Sequence, residues 1–306
     1  MFADAIEKVG DYTRPIMYIY RNYGETVVLP GSGTLFFVNE EGCAVTCRHV
    51  AETILAATKI NEKYAQFKKS KAQLLNGKNN TQMLKKLELE YGYKKGITVN
   101  MKVNFKGCVV PITGMTCHVH KDYDLAIIQF KGFEKLNYNG YAVFADDAGK
   151  VRPGNYMCRI GFPFPESIKA IYNGINDDIE WSDVAAVNTP RFPLDGMVTR
   201  HVAKNGRVCG IELSTPGLKG QSGGPLFDKR GIVYGMQYET RHLNLGYRFD
   251  DSGTPLAKDS TARANSAFIH VGHCLNADII KEFLRDRDIK HYTESGAVHP
   301  KYFTEG

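Results

Sequence analysis

Outside one lysine-rich stretch, the apolar residues of this chain come in short runs bounded by turn formers, and no other feature constrains the fold as tightly. Residues 15–20, 31–38 and 43–47 are rich in strand formers, and Asn39, Glu40, Glu41 and Gly42 supply turn chemistry between the last two. These two runs read as a hairpin that delivers His49 at its end. Further strands are expected at 98–105, 108–112, 116–120 and 124–130. The second half continues with 156–160, 197–202, 208–213, 226–227, 232–238 and 267–271. Segments 163–195 and 244–266 read as long loops, and 131–149 as a connection between halves. Strands do not alternate with helices, which argues against a parallel nucleotide-binding sheet and for an all-β barrel or sandwich.

Helical patterns are few. Residues 1–12 read as a short amphipathic helix. Residues 276–287 read as a C-terminal helix, with Asn276 as N-cap and Ile279, Ile280, Phe283 and Leu284 on one face. The lysine-rich stretch, about 51–96, reads as a helical hairpin: Ile54, Leu55, Ile60, Tyr64 and Phe67 recur at helical spacing, then Met83, Leu84, Leu87, Leu89 and Tyr91 after a break at 76–80. It holds ten lysines and four glutamates, 10 − 4 = +6, which equals the formal charge of the whole chain. A charge confined to one insertion is a local feature and argues against a nucleic-acid-binding protein. The N-terminus has early acids and no apolar core of a signal peptide, and seven scattered cysteines read as reduced thiols, so a cytoplasmic setting is expected. No run is apolar and long enough to span a bilayer.

Three residues stand where nucleophilic catalysis needs them. A serine hydroxyl attacks a carbonyl only when a base takes its proton, and histidine titrates near the working pH. A carboxylate on the far ring nitrogen fixes the tautomer, and backbone N–H groups must meet the oxyanion. His49 ends a strand, Asp124 starts an apolar strand, and Ser222 lies in Gly220-Gln221-Ser222-Gly223-Gly224-Pro225-Leu226. Singly, each has an ordinary reading as filler, edge residue or tight turn. Their order and settings make the set specific.

Those blocks resemble the trypsin-like serine proteases of the chymotrypsin fold, nearest in pattern to the bacterial Deg/Htr branch and its cytosolic relatives. The likeness covers about 30–52 and 122–285. It rests on Gly31-Ser32-Gly33 with Ala44-Val45-Thr46 and His49-Val50, and on Asp124-Leu125-Ala126-Ile127-Ile128. Gly154-Asn155-Tyr156 with Ile160-Gly161-Phe162-Pro163, the serine block and Gly231-Ile232-Val233-Tyr234-Gly235 complete it. The resemblance implies two six-stranded antiparallel β-barrels with a helical-hairpin insertion and a C-terminal helix, divided as 1–135 and 136–306. It implies His49 as base, Asp124 as orienting acid, Ser222 as nucleophile, and the N–H groups of Gly220 and Ser222 as oxyanion hole. The implied activity is endopeptidase cleavage of protein or peptide substrates, without metal or cofactor.

The chain departs from the pattern in places. Gln221 replaces the aspartate that in secreted members receives a newly cut N-terminus. No Ile-Val-Gly-Gly-like start is present, and no PDZ domain is expected after the C-terminal helix. Cys43 and Cys47 do not match the disulfide that brackets the base in secreted members. The resemblance places the primary pocket at Thr215, Pro216, Gly217, Tyr238, Glu239, Thr240, Ser266 and Phe268. Pro216 stands where an enzyme cutting after arginine or lysine carries aspartate, so a small or aliphatic side chain is expected there unless Glu239 points inward. His118 with His120, and His270 with His273 and Cys274, offer ligand atoms but no second cluster. Two other readings stay open: a catalytically silent protease-fold scaffold, and a binding module or regulatory-partner site on the basic insertion.

Overall fold

The protein is described from a computed structural model covering residues 1–75, 81–105, 107–182, 189–257, 265–296 and 298–299. The expected break at 76–80, with Lys78, lies outside the described residues. Six strands form the first antiparallel sheet: β1 (Thr13–Asn22), β2 (Val28–Phe37), β3 (Cys43–Thr46), β4 (Thr98–Asn104), β5 (Gly114–Val119) and β6 (Ala126–Lys131), in the order β4-β1-β2-β3-β6-β5. All four residues of β3 are buried, and so are Ala126, Ile127, Ile128 and Phe130 of β6, as expected for strands covered on both faces.

The second sheet has nine strands: β7 (Val143–Phe144), β8 (Tyr156–Gly161), β9 (Phe192–Lys204), β10 (Arg207–Leu213), β11 (Pro225–Phe227), β12 (Ile232–Phe249), β13 (Asn265–Asn276), β14 (His291–Thr293) and β15 (Val298–His299). Within it, β11-β8-β9-β10-β13-β12 closes on itself, because β11 pairs with β8 on one side and β12 on the other. The architecture is thus mostly β with curled antiparallel sheets, as the chymotrypsin-like reading implies. One large apolar core runs through residues of both sheets, from Leu35, Phe36 and Phe37 to Phe144, Phe227 and Met236.

Helix α1 (Ala3–Gly10) buries Ala5 and Val9. The insertion is a pair of helices, α2 (Arg48–Leu75) and α3 (Thr81–Tyr91). It docks through an aromatic cluster in which Tyr64, Phe67, Leu87, Tyr93 and Val99 are buried. Asn61 of α2 bonds Met101 of β4 in both directions, Nδ2 to the carbonyl at 2.7 Å and the Met101 N–H to Oδ1 at 2.9 Å. Leu89, expected on the apolar face, is 81% exposed. Helix α4 (Ala277–Arg285) starts as expected, with the Asn276 side chain accepting the Asp278 N–H at 2.7 Å.

Two loop expectations are corrected. Segment 163–195 contains a small hairpin, Ala170–Asn173 with Asp178–Trp181, and β9 begins at Phe192. Segment 244–266 contributes to a long β12/β13 ribbon, pairing Arg248 with Ser266 and Phe249 with Asn265. The strand expected at 267–271 is therefore part of a longer one, and β14 and β15 follow the C-terminal helix.

Candidate active site

Register brings the expected base and acid together. Thr46 at the end of β3 lies opposite Ala126 at the start of β6. His49, three residues beyond Thr46, and Asp124, two before Ala126, leave the sheet at the same edge. His49 Nδ1 lies 2.7 Å from Asp124 Oδ2, and the His49 main-chain N–H donates to Asp124 Oδ1 at 2.9 Å. His49 is in the first turn of α2, so Asp124 also satisfies one of the helix's unpaired N–H groups. Burial pushes the Asp124 carboxyl up, but the His49 bonds outweigh it and hold the carboxyl below its ordinary value.

Ser222 reaches this edge through its own loop and through β2. Thr34 N–H donates to the Ser222 carbonyl at 2.9 Å, and Thr34 Oγ1 donates to the Gly220 carbonyl at 2.7 Å. The Gln237 carbonyl accepts from Gly223 N–H at 2.9 Å and from Cys47 Sγ at 3.3 Å. One carbonyl thus joins the residue after Ser222 to the residue two before His49. Among the described residues no hydrogen bond links Ser222 Oγ to the His49 ring. Nor does the N–H of Gly220 or of Ser222 donate to any described group, so both expected oxyanion donors are free of protein acceptors.

The glycines of this loop are required by space. Gly223 has φ +91°, and a Cβ there would lie 2.0 Å from the Thr34 carbonyl oxygen. Gly220 also has φ +91°, and its Cβ would meet the Phe162 carbonyl oxygen at 2.4 Å. Gln221 is fully buried. Its Oε1 accepts the Leu218 N–H at 3.0 Å and its Nε2 donates to the Phe192 carbonyl at 3.1 Å. The residue that replaces an N-terminus-binding aspartate is therefore tied into its own loop.

Cys47, His49 and Asp124 place potential ligand atoms within 4.8 Å of one another. Cys47 is a poor metal ligand here: burial, then the Asp124 charge, push its thiol far above the ordinary value, and Sγ donates its proton to a carbonyl. His273 is buried and engaged by Glu212 at 3.0 Å, and His118 Nε2 by Gln129 Oε1 at 2.8 Å.

The expected pocket residues fall into two groups. Thr240 Oγ1 donates to the Gly217 carbonyl at 2.8 Å, so the walls at Thr215-Pro216-Gly217 and Tyr238-Glu239-Thr240 touch. Glu239 Oε2 pairs with Arg241 at 3.1 Å, and its main-chain oxygen accepts from Gln237 Nε2 at 2.7 Å. Ser266 and Phe268 sit elsewhere on the ribbon, opposite Arg248 and Asn244. The residue opposite Thr240 is Gly272, whose Cβ would lie 2.6 Å from the Thr215 carbonyl oxygen. Gly272, Gln237 and Arg159 were not expected here. They are distant in sequence from the serine loop and carry no motif.

A closed six-stranded ring beside a second curled sheet, with a histidine–carboxylate pair and a glycine-bounded serine loop at their junction, defines the chymotrypsin-like class. Residues 31–236 match the trypsin-like peptidase domain, and the chain belongs to that family. Among curated proteins none matches the chain. Among solved structures, the HtrA-type protease AlgW with a decapeptide is similar at 12% identity and TM-score 0.47, over 94% of this chain and 67% of that one. A variant of it with a tripeptide gives 12% and 0.45, over 94% and 63%. This chain thus spans less than two thirds of the length of that variant's chain.

Proposed function

We propose that the protein is a protease, a serine endopeptidase that works through an acyl-enzyme. The observation that carries this reading is the His49–Asp124 pair at 2.7 Å set beside a serine loop whose Gly220 and Ser222 N–H groups have no acceptor among the described residues. In this reading Ser222 Oγ attacks the scissile carbonyl while His49 takes its proton. The His49 imidazolium is stabilised by the Asp124 carboxylate, and the oxyanion is met by the two free N–H groups. His49 then protonates the leaving amine, and water, activated by the same base, releases the acyl group. A base–nucleophile contact that is open without substrate and tightens in the complex is common in such sites. Seven free cysteines fit a cytoplasmic setting.

The test is labelling with a fluorophosphonate, which reacts with activated serines. Wild type should be labelled on Ser222 and Ser222→Ala should not. A folded wild type that resists the label and cleaves no peptide would return the chain to the scaffold reading.

A further inference from the structure

The sequence expectation for the primary pocket was a small or aliphatic side chain. The structure places a buried cation there. Arg159, on β8, is 0% exposed. Its Nη1 donates to Gln237 Oε1 at 2.5 Å. Its Nη2 donates to the Thr215 carbonyl and hydroxyl, at 3.0 and 2.8 Å, and to the Pro216 carbonyl at 3.2 Å. All four acceptors are neutral. Nε is buried and has no hydrogen-bond partner among the described residues.

A fully buried guanidinium with only dipoles around it is costly, because desolvation of the charge is not met by an opposite charge. Of the acids on neighbouring strands, Asp195 acts on Arg159 through space and forms no ion pair with it among the described residues, while Glu212 and Glu239 are engaged elsewhere. Glu212 is taken by Arg200 at 2.7 Å and His273 at 3.0 Å, and Glu239 by Arg241. The positive field at Arg159 is therefore only partly offset, and it acts on whatever enters beside the guanidinium.

That position is specific. Arg159 lies under Thr215 and Pro216, the residues that lead into the Ser222 loop. It lies one side chain from the nucleophile, since the Gln237 main chain bonds Gly223 while its amide oxygen bonds Arg159. No side chain shields it from the wall on β13: a Cβ on Gly272 would lie 2.1 Å from Arg159 Nη1. Gly217 is also bare, and the Gln237 amide fills the space its side chain would take: a Cβ there would fall 2.4 Å from Gln237 Nε2. The Gln237 amide, held to the Glu239 main chain, covers the guanidinium and is a side chain that can swing aside.

We propose that Arg159 makes this pocket select an acidic side chain, so that the protease cleaves after glutamate or aspartate. This rests on the serine-peptidase reading above. The entering carboxylate displaces Gln237 Oε1 and turns an ion–dipole contact into an ion pair, with an acceptor in reach of the orphaned Nε. The bond broken is the peptide bond that follows the acidic residue; the Ser222 ester forms and water releases the new carboxyl end. The same cation rejects lysine and arginine, in keeping with Pro216 at the position of a trypsin-type aspartate.

The experiment uses peptides that differ only in the residue before the scissile bond: Glu, Asp, Gln, Leu or Arg. Glutamate should exceed glutamine on the order of 100-fold in kcat/KM, the scale of a desolvated ion pair against its neutral isostere. In Arg159→Met that ratio should fall toward one. Cleavage of Gln, Leu or Arg peptides by wild type as fast as Glu overturns the proposal, as does an unchanged ratio in the variant. If Arg159→Met does not fold, the wild-type panel decides alone. Labelling of Ser222 with cleavage but no glutamate preference defeats this inference only. Absence of both label and cleavage defeats the peptidase reading and this inference with it.

Discussion

Asp124 bonds His49 twice, once on the ring and once on the main chain, at 2.7 and 2.9 Å. The carboxylate therefore fixes both the direction of the imidazole and the start of the helix that carries it. Asp124→Asn keeps the shape and exchanges an acceptor-only group for one that also donates. It is expected to lower kcat by about 10⁴, as loss of the correct tautomer does in such triads. Steady-state kinetics on any cleaved peptide reads this, and a drop under tenfold would remove Asp124 from the role.

Gly223 should tolerate no side chain. Gly223→Ala puts a Cβ 2.0 Å from the Thr34 carbonyl oxygen in a backbone with φ +91°. A cost of about 2–4 kcal/mol in urea unfolding is expected, together with loss of the Ser222 label. An alanine variant as stable and as reactive as wild type would contradict the packing described.

Stability should fall in acid in a way that Glu212 explains. Burial pushes its carboxyl up, but bonds from Arg200, Thr199 and His273 outweigh this and bring it from 4.5 to about 2. The folded value lies below the unfolded one. The contribution to stability is therefore present above about pH 4.5 and is lost as pH falls toward 2. Urea midpoints measured from pH 5 to 2.5 should drop more steeply for wild type than for Glu212→Gln.

Tyr64 ties α2 to the small hairpin. Its hydroxyl donates to Asp177 Oδ2 at 2.6 Å, beside the Arg21–Asp177 ion pair at 2.7 Å. Tyr64→Phe should cost about 1–2 kcal/mol, the scale of a hydrogen bond to a charged group. It should also speed amide exchange at 170–181; exchange unchanged there would show that the hairpin does not depend on the helix.

His49 and Asp124 were readable because each sits at the end of an apolar strand with a clear period, and a 75-residue separation does not blur strand ends. The ribbon through 244–249 and 265–266 was not. Residues 241–247 are exposed throughout, so no buried face imposes an alternation on the sequence. The hairpin at 170–181 was hidden by Asn173, Asp177 and Asp178, turn formers, two of which are held by the long-range partners Arg21 and Lys102. Arg159 looked like one residue of a core strand, because nothing local marks a buried charge whose acceptors lie 56 to 78 residues away.

Helix α2 is pinned to both halves of the molecule. Asp124 holds its first turn, and the Asp177 segment holds Tyr64 and Lys68, fifteen or more residues on and about 22 Å along the axis. A rod fixed at two separated points resists rotation about either. The first anchor belongs to the β3–β6 edge, the second to the excursion between β8 and β9. The insertion thus works as a diagonal brace: sliding of the serine-bearing sheet past the histidine-bearing one must bend a helix or break an ion pair.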